Sequence, residues 1–336
     1  MGSPEWVHDY ARLLFSHQHQ DWDRALELKQ ANLPISLFRY RAPGERALSD
    51  LRDGTIWLSK PSKFNDPFDS SLALDPSVPF STLIKKHVTT CELPAGVRER
   101  VIASSDPLAV FDEVFAAEVE KVEGPAKAVK AIGFFAKFLG AQGDAIAAAL
   151  SELLQNRLKV ACFCETGTSL PLWAYYADHH RGLCVEYPVS TLPADDLRRR
   201  WLHPVFYSPD RFTPAEIMDR MIQDRSLGTP WFGILAAVHK SPDWEHEREW
   251  RLVDPTGDDV PGRSILMPRP SAVYLGAKVS SEYRREIVSI IEGLRIPLRE
   301  MVLSERRFEL RSHPIDLRPT KESDRPATVP SPEPAE

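Results

Sequence analysis

The sequence predicts an α+β fold: a mostly antiparallel central (split) sheet flanked by helices, with an inserted all-helical subdomain and a disordered C-terminal tail. Three observations predict it. Short runs of β-branched and aromatic residues, bounded by turn residues, recur early and late in the chain. Between 78 and 157 they give way to alanine-rich sequence whose apolar residues repeat at helical spacing. From 312 to 336 the chain is rich in Pro and Glu and has no aromatic residue. The expected plan is an N-terminal helical segment 1–34, a core domain of 35–77 and 158–311, a helical insertion 78–157, and a tail 312–336.

Bulk properties narrow the class. A chain of 336 residues with 43% hydrophobic residues and 8 Trp has the material for a folded core. A net charge of −6 leaves no electrostatic footprint for wrapping a nucleic-acid duplex. Four Cys in this length do not make a disulfide framework. No apolar run is long enough to span a membrane, and no basic stretch followed by an apolar one opens the chain. The expectation is a cytoplasmic protein with reduced thiols and no membrane association.

Taken in order, 4–30 reads as helix, from Trp6, Tyr10, Leu13, Leu14, Trp22, Ala25 and Leu26 at near-helical spacing. Asn32-Leu33-Pro34 breaks it, and Leu37–Arg41 follows as a strand with Arg39 and Arg41 on one face. Arg46–Arg52 is a short helix. Asp53-Gly54 then turns into the strand Thr55–Ser59, which Pro61 ends because proline has no N–H for the ladder. The loop beyond carries Phe64, Asn65, Asp66, Pro67 and Phe68. Two phenylalanines in one loop predict packing, with Phe64 and Phe68 as buried anchors and Asn65 and Asp66 bonding nearby backbone.

After the insertion, Lys159–Cys164 is a strand and Leu170–His180 a helix, with Pro171 in its first turn and Gly182 at its stop. Leu183–Glu186 with Tyr187, and His203–Tyr207, are strands. Thr213–Ser226 and Trp231–Lys240 are helices. The Trp244–Val253 stretch ends as a strand, Ala272–Gly276 is another, and Ser281–Leu294 is a helix. Ile296–Leu303 and Arg307–Leu310 add edge strands.

Three polar sets are candidates for chemistry. Arg39 and Arg41 share a strand face, and guanidinium forks suit phosphate or carboxylate. Glu247, Glu249 and Arg251 share another, with Trp250 and Leu252 opposite; glutamate suits acid–base work or the stabilisation of positive charge on a sugar. The plainer account of both is an ion-pair network at a sheet surface. The third set is Trp173, Tyr176 and His180 on one face of their helix and Tyr175 and His179 on another. An aromatic pair there would stack on a flat ring, against the plainer account of core packing. Cys162-x-Cys164 lacks the second ligand pair of a zinc site, and no metal is predicted; a catalytic Cys with His179 or His203 is a weak alternative. No glycine-rich phosphate loop is present.

Several stretches together resemble one bacterial family, the domain of unknown function 2971. They are Leu37–Arg41, Trp57–Ser59, Phe64–Asp69, Cys162–Cys164, Leu172–Glu186, Trp244–Leu252 and Leu275-Gly276, and they span roughly 35–290 in the family's order. Asp69 stands where the family often has Glu, and the insertion after Ser70 is long. The family name implies no activity. A looser resemblance, in order and residue type only, is to ADP-ribosyltransferase-like folds. It implies NAD as cofactor, with Arg39 and Arg41 on the pyrophosphate, Ser59 on the second strand, and Trp173, Tyr175 or Tyr176 at the nicotinamide. Glu249 would be the catalytic carboxylate and Glu247 would place the acceptor, a protein or nucleic acid. Breaking the nicotinamide–ribose bond develops oxocarbenium character that a fixed carboxylate stabilises. Two rival readings stay open: a non-catalytic nucleotide- or partner-binding module of a defence or stress system, and a metal-dependent nuclease using Asp66, Asp69 and Glu249.

Overall fold

The computed structural model describes residues 4–15, 19–73, 85, 96–105, 109–110, 113–114, 117, 148, 151–212, 230–254 and 256–317. The fold is mixed α and β, with largely antiparallel strand pairing and flanking helices. It divides into two compact units, 1–39 with 53–166 and 187–269, and 40–52 with 167–186 and 270–336. Most of the expected insertion 78–157 and of the tail 312–336, and the helix expected over 213–226, lie outside the described residues. Among the described residues no helix is long and apolar enough to cross a membrane.

The first unit opens with two helices, α1 (Glu5–Phe15) and α2 (His19–Ala31), where the sequence reads as one. Val7, Tyr10, Ala11 and Leu14 are the buried face of α1 at i, i+3, i+4 and i+7. Its strands are the start of β1 (Leu37–Arg41), β2 (Thr55–Ser59), β3 (Lys159–Cys164), β5 (Leu202–Pro204), β8 (Glu249–Asp254) and β9 (Gly262–Leu266). β3 lies at the centre. It pairs antiparallel with β8 from Lys159↔Asp254 to Cys164↔Glu249, and also with β1 and β2. All six residues of β8 are buried, so both faces of this strand are covered. β9 pairs with β2 along five residues and has no counterpart in the sequence reading, because its pattern is half exposed and short. Leu14, Leu158, Val160, Ile234, Leu235 and Val253 belong to one core cluster.

Around residue 240 the local structure departs from the expected helix. The helix stops at Ala237, and His239-Lys240 is a two-residue strand, β7, parallel to β6 (Phe206–Tyr207). Pro242–Glu247 then forms a 3-10 helix whose cap, Ser241, accepts from the Asp243 amide. Arg248 closes it with φ 44 and ψ 57, a left-handed conformation rare outside glycine.

The second unit holds α3 (Glu45–Asp53) up to residue 52, the short helix Leu170–Tyr176, and β4 (Leu183–Tyr187) up to Glu186. It also holds β10 (Ala272–Leu275), a 14-residue helix (Ser281–Leu294), β11 (Leu298–Leu303) and β12 (Leu310–Pro314). β10 pairs antiparallel with β4 and parallel with β11, which pairs antiparallel with β12. The pairing therefore continues past Ser312, where the sequence reading begins the tail. The long helix buries Tyr283, Ile287 and Ile291, one residue every four.

The helix at 170 is shorter than the expected Leu170–His180. Ser169 caps its start, and it ends at Tyr176. Asp178, His179 and His180 then take φ of 47, 54 and 71, three consecutive left-handed residues that no right-handed helix accommodates. Gly182 follows for a steric reason: a Cβ there would lie 2.0 Å from the Arg41 carbonyl oxygen.

Candidate functional site

Two polar constellations stand on β8 and its neighbours in the first unit. The first is a buried charge cluster. Arg251 is fully buried, and its fork grips Asp69: Nη1 donates to Oδ1 at 2.5 Å and Nη2 to Oδ2 at 2.7 Å. Nε of Arg251 donates to Glu249 Oε1 at 2.8 Å and Nη2 to Oε2 at 3.0 Å, while Nη1 also reaches the Ala237 carbonyl. Lys240 Nζ donates to Glu249 Oε2 at 2.9 Å and to Glu247 Oε2 at 2.6 Å. The Arg251 guanidinium lies over the Phe64 ring, and the Lys240 ammonium over Trp244.

The backbone explains how these groups meet. Glu249 and Arg251 alternate on β8 and share a face. Glu247 sits in the 3-10 helix, so the strand period does not place it. The left-handed Arg248 re-aims the chain, and both carboxylates reach Lys240. Burial alone would raise the Glu249 carboxyl, but Arg251 and Lys240 outweigh it and hold the pKa down at about 2. Burial likewise opposes charge on Lys240, and Glu249 and Glu247 keep it protonated.

The second constellation is a pocket of about 280 Å³ at the start of the same strand. Trp6, Trp250 and Tyr207 supply aromatic walls, and Glu165, Glu245, Arg248 and Glu249 supply charge. The Trp6 and Trp250 rings lie 6.0 Å apart. Trp250 Nε1 donates to Glu165 Oε1 at 3.0 Å, and the Tyr207 hydroxyl accepts from the Glu249 amide. Among the described residues no cation lies within ion-pair distance of Glu165 or Glu245, and no carboxylate within that distance of Arg248. Tyr10 and His203 share a buried 2.5 Å hydrogen bond in this unit.

The expected site residues divide sharply. Glu247 and Glu249 do lie together, as partners of one lysine. Arg39 donates to the Trp57 carbonyl at 2.7 Å and lies over Phe163, which places it in the sheet's own framework. Ser59 ends β2 opposite Val160 and Gly262. In the second unit, Arg41 faces Asp50 at 3.6 Å. Trp173 is wholly buried, with its indole N–H on the Gly167 carbonyl and its ring edge-on to Tyr40, so it is core. Tyr175 is 62% exposed, and Tyr176, edge-on to it, is half-buried.

The loop after β2 is also corrected in part. Asp66 is buried and accepts from the Phe68 amide, as its side chain predicts, whereas Asn65 is exposed. Phe64 is half-buried against the core. Phe68 is 62% exposed beneath the Arg211 guanidinium, so of the two expected buried anchors Phe64 is only half-buried and Phe68 is at the surface. Asp69, not a phenylalanine, is the loop's deepest contribution. The thiol of Cys162 is pushed up by burial and by Glu249, which leaves it protonated and a poor nucleophile.

Sequence reasoning missed Lys240, Trp6, Glu165 and Arg248. Lys240 reads as the end of the helix expected over Trp231–Lys240, and the others stand far apart in the chain with no shared spacing. The one available signal was Trp6, an aromatic residue in a short opening helix. Residues 172–252 match the family model described as protein of unknown function, DUF2971. That range holds Trp173, Lys240 and β8 as far as Leu252. No curated protein and no solved structure matches the chain.

Proposed function

We propose that this chain, whose residues 172–252 match the family model DUF2971, is a binding module for a nucleotide-type small molecule. The pocket beside β8 is the binding site. One observation supports this reading above the others: three ionisable side chains without a charged partner among the described residues line a single aromatic-walled pocket. Charged groups elsewhere on β8 are matched to partners inside the protein; those at the pocket are left for something else.

The transferase reading asks more of Glu249 than its surroundings allow. Both of its oxygens already accept from Arg251, and one accepts from Lys240 as well. A carboxylate so held is ionised, but it is buried and three of its roughly four acceptor sites are taken, which leaves it poorly placed to meet a reacting sugar. Glu249 then supports the pocket wall instead of acting on a substrate.

The test is a thermal-shift and calorimetric screen with NAD+, NADH, ATP and GTP on the full chain, repeated with Trp6→Ala. Binding by at least one nucleotide, lost in Trp6→Ala, is the expected result. No binding by any of the four, or binding that survives Trp6→Ala, would sink the reading. Nicotinamide release from NAD+ that disappears in Glu249→Gln would reinstate the transferase.

A further inference from the structure

The pocket's charge pattern specifies more than its size. Resting on the binding-module reading, we infer that its occupant is a flat, delocalised cation with an anionic group attached close by. Glu165 and Glu245 supply two negative charges on the pocket lining, and Arg248 supplies one positive charge. A uniformly anionic ligand would meet two uncompensated carboxylates. A simple cation would meet an uncompensated guanidinium. A ligand carrying both charges satisfies all three groups.

The geometry favours a planar cation over a compact ammonium. Trp6 is half-buried and backed at 6.0 Å by the buried Trp250, so its own indole is the surface where a flat cation can stack. Glu165 is oriented by the Trp250 indole N–H through one oxygen, which leaves its other oxygen as an acceptor beside that aromatic surface. Arg248 is locked by its left-handed backbone, with its own amide on the Glu245 carbonyl at 3.1 Å. A residue held in a sparsely populated conformation at a pocket rim is positioned by its surroundings, here the two buried glutamates on either side. The volume of about 280 Å³ fits a ring or guanidinium with its neighbouring group, not a whole dinucleotide.

Two sources carry this chemistry: an oxidised pyridine nucleotide, whose pyridinium ring neighbours a phosphate, and an arginine with a free carboxylate. Matched pairs separate them. NADH lacks the ring charge of NAD+, and agmatine lacks the carboxylate of arginine. The quenching of tryptophan fluorescence by each of the four compounds, confirmed by calorimetry, is the measurement.

We expect NAD+ or arginine to bind and its matched partner to bind at least about tenfold more weakly. Glu165→Gln should erase the preference for NAD+ over NADH, and Arg248→Ala the preference for arginine over agmatine, with circular dichroism confirming that both variants fold. Equal binding of NADH and NAD+, or of agmatine and arginine, overturns the inference. If that equal binding is lost in Trp6→Ala, the pocket reading stands and only its charge logic fails. No response to any of the four compounds overturns the inference as well, while ATP or GTP binding that depends on Trp6 would still uphold the pocket.

Discussion

The buried cluster around Arg251 on β8 and the pocket lined by Arg248, just before that strand, lie three residues apart in the chain, yet they treat charge in opposite ways. Inside, Arg251 and Lys240 are each clamped between two carboxylates at 2.5–2.9 Å, and Asp69, Lys240, Glu247, Glu249 and Arg251 are all buried. At the pocket, Glu165, Glu245 and Arg248 have no charged partner among the described residues. The difference teaches how to sort polar residues in an unfamiliar fold. A fully buried charge must be matched by the protein itself, because leaving it alone costs several kcal/mol. A charge at a pocket need not be, and when its neighbours leave it unmatched it is available for recognition.

The largest expected effect comes from breaking the buried set. Arg251→Met strands Asp69 without its cation and leaves Glu249 with Lys240 alone; it should cost about 3–5 kcal/mol, read by urea unfolding or as loss of soluble protein. Replacing Asp69, Glu249 and Arg251 together with apolar residues should recover most of that loss. If the single substitution is silent, the cluster is not the keystone of the first unit.

A second pair of substitutions makes the same contrast in the second unit. Trp173→Ala should cost about 3–5 kcal/mol, while Tyr175→Ala, two residues on and facing water, should stay within about 0.5 kcal/mol. Comparable losses would show that the two faces of this helix are not divided into core and surface as the burial indicates.

Acid is the third probe. The Glu249 carboxyl is held below its usual value of 4.5, at about 2, so its contribution is complete above 4.5 and is lost as pH falls toward 2. The wild-type unfolding free energy should therefore drop through that window. Glu249→Gln should start less stable and show a shallower drop, because it has no proton to take up. Equal acid slopes would dissociate the ion pairs from stability.

The smallest effect is expected at the pocket. Glu165→Gln should change the unfolding free energy by no more than about 0.5 kcal/mol at neutral pH, since no cation depends on it. A loss as large as that of Arg251→Met would mean that Glu165 is a structural residue, and the contrast between the two sites would collapse.

Much of the framework was legible from residue patterns. Leu37–Arg41, Thr55–Ser59, Lys159–Cys164, Ala272–Leu275 and Ser281–Leu294 occupy the spans their patterns predict, because β-branched runs between turn residues and a four-residue apolar repeat are local signals. The pairing of Glu247 with Glu249 was legible as proximity but not as role. Other features were not local. β9 is too short and too exposed to carry a pattern. Phe68 was expected inside because aromatic residues usually are, and the Arg211 guanidinium covers it at the surface instead. The expected helix through His180 was overruled by three left-handed residues, a backbone state that side-chain periodicity does not encode.

By itself, then, the sequence determined the class of fold, the positions of most strands and the candidate acids on β8, all of which follow from patterns within a few residues of one another. Only the tertiary structure decided what those acids do. It brought Asp69 and Lys240 to Arg251 and Glu249, and so turned a candidate catalytic carboxylate into a buried ion-pair partner. It also gathered Trp6, Glu165 and Arg248 around one pocket. The physical reason is that the fate of a charge depends on whether an opposite charge or water stands next to it, and folding supplies that neighbour, from nearby chain for Lys240 and from 182 residues away for Asp69.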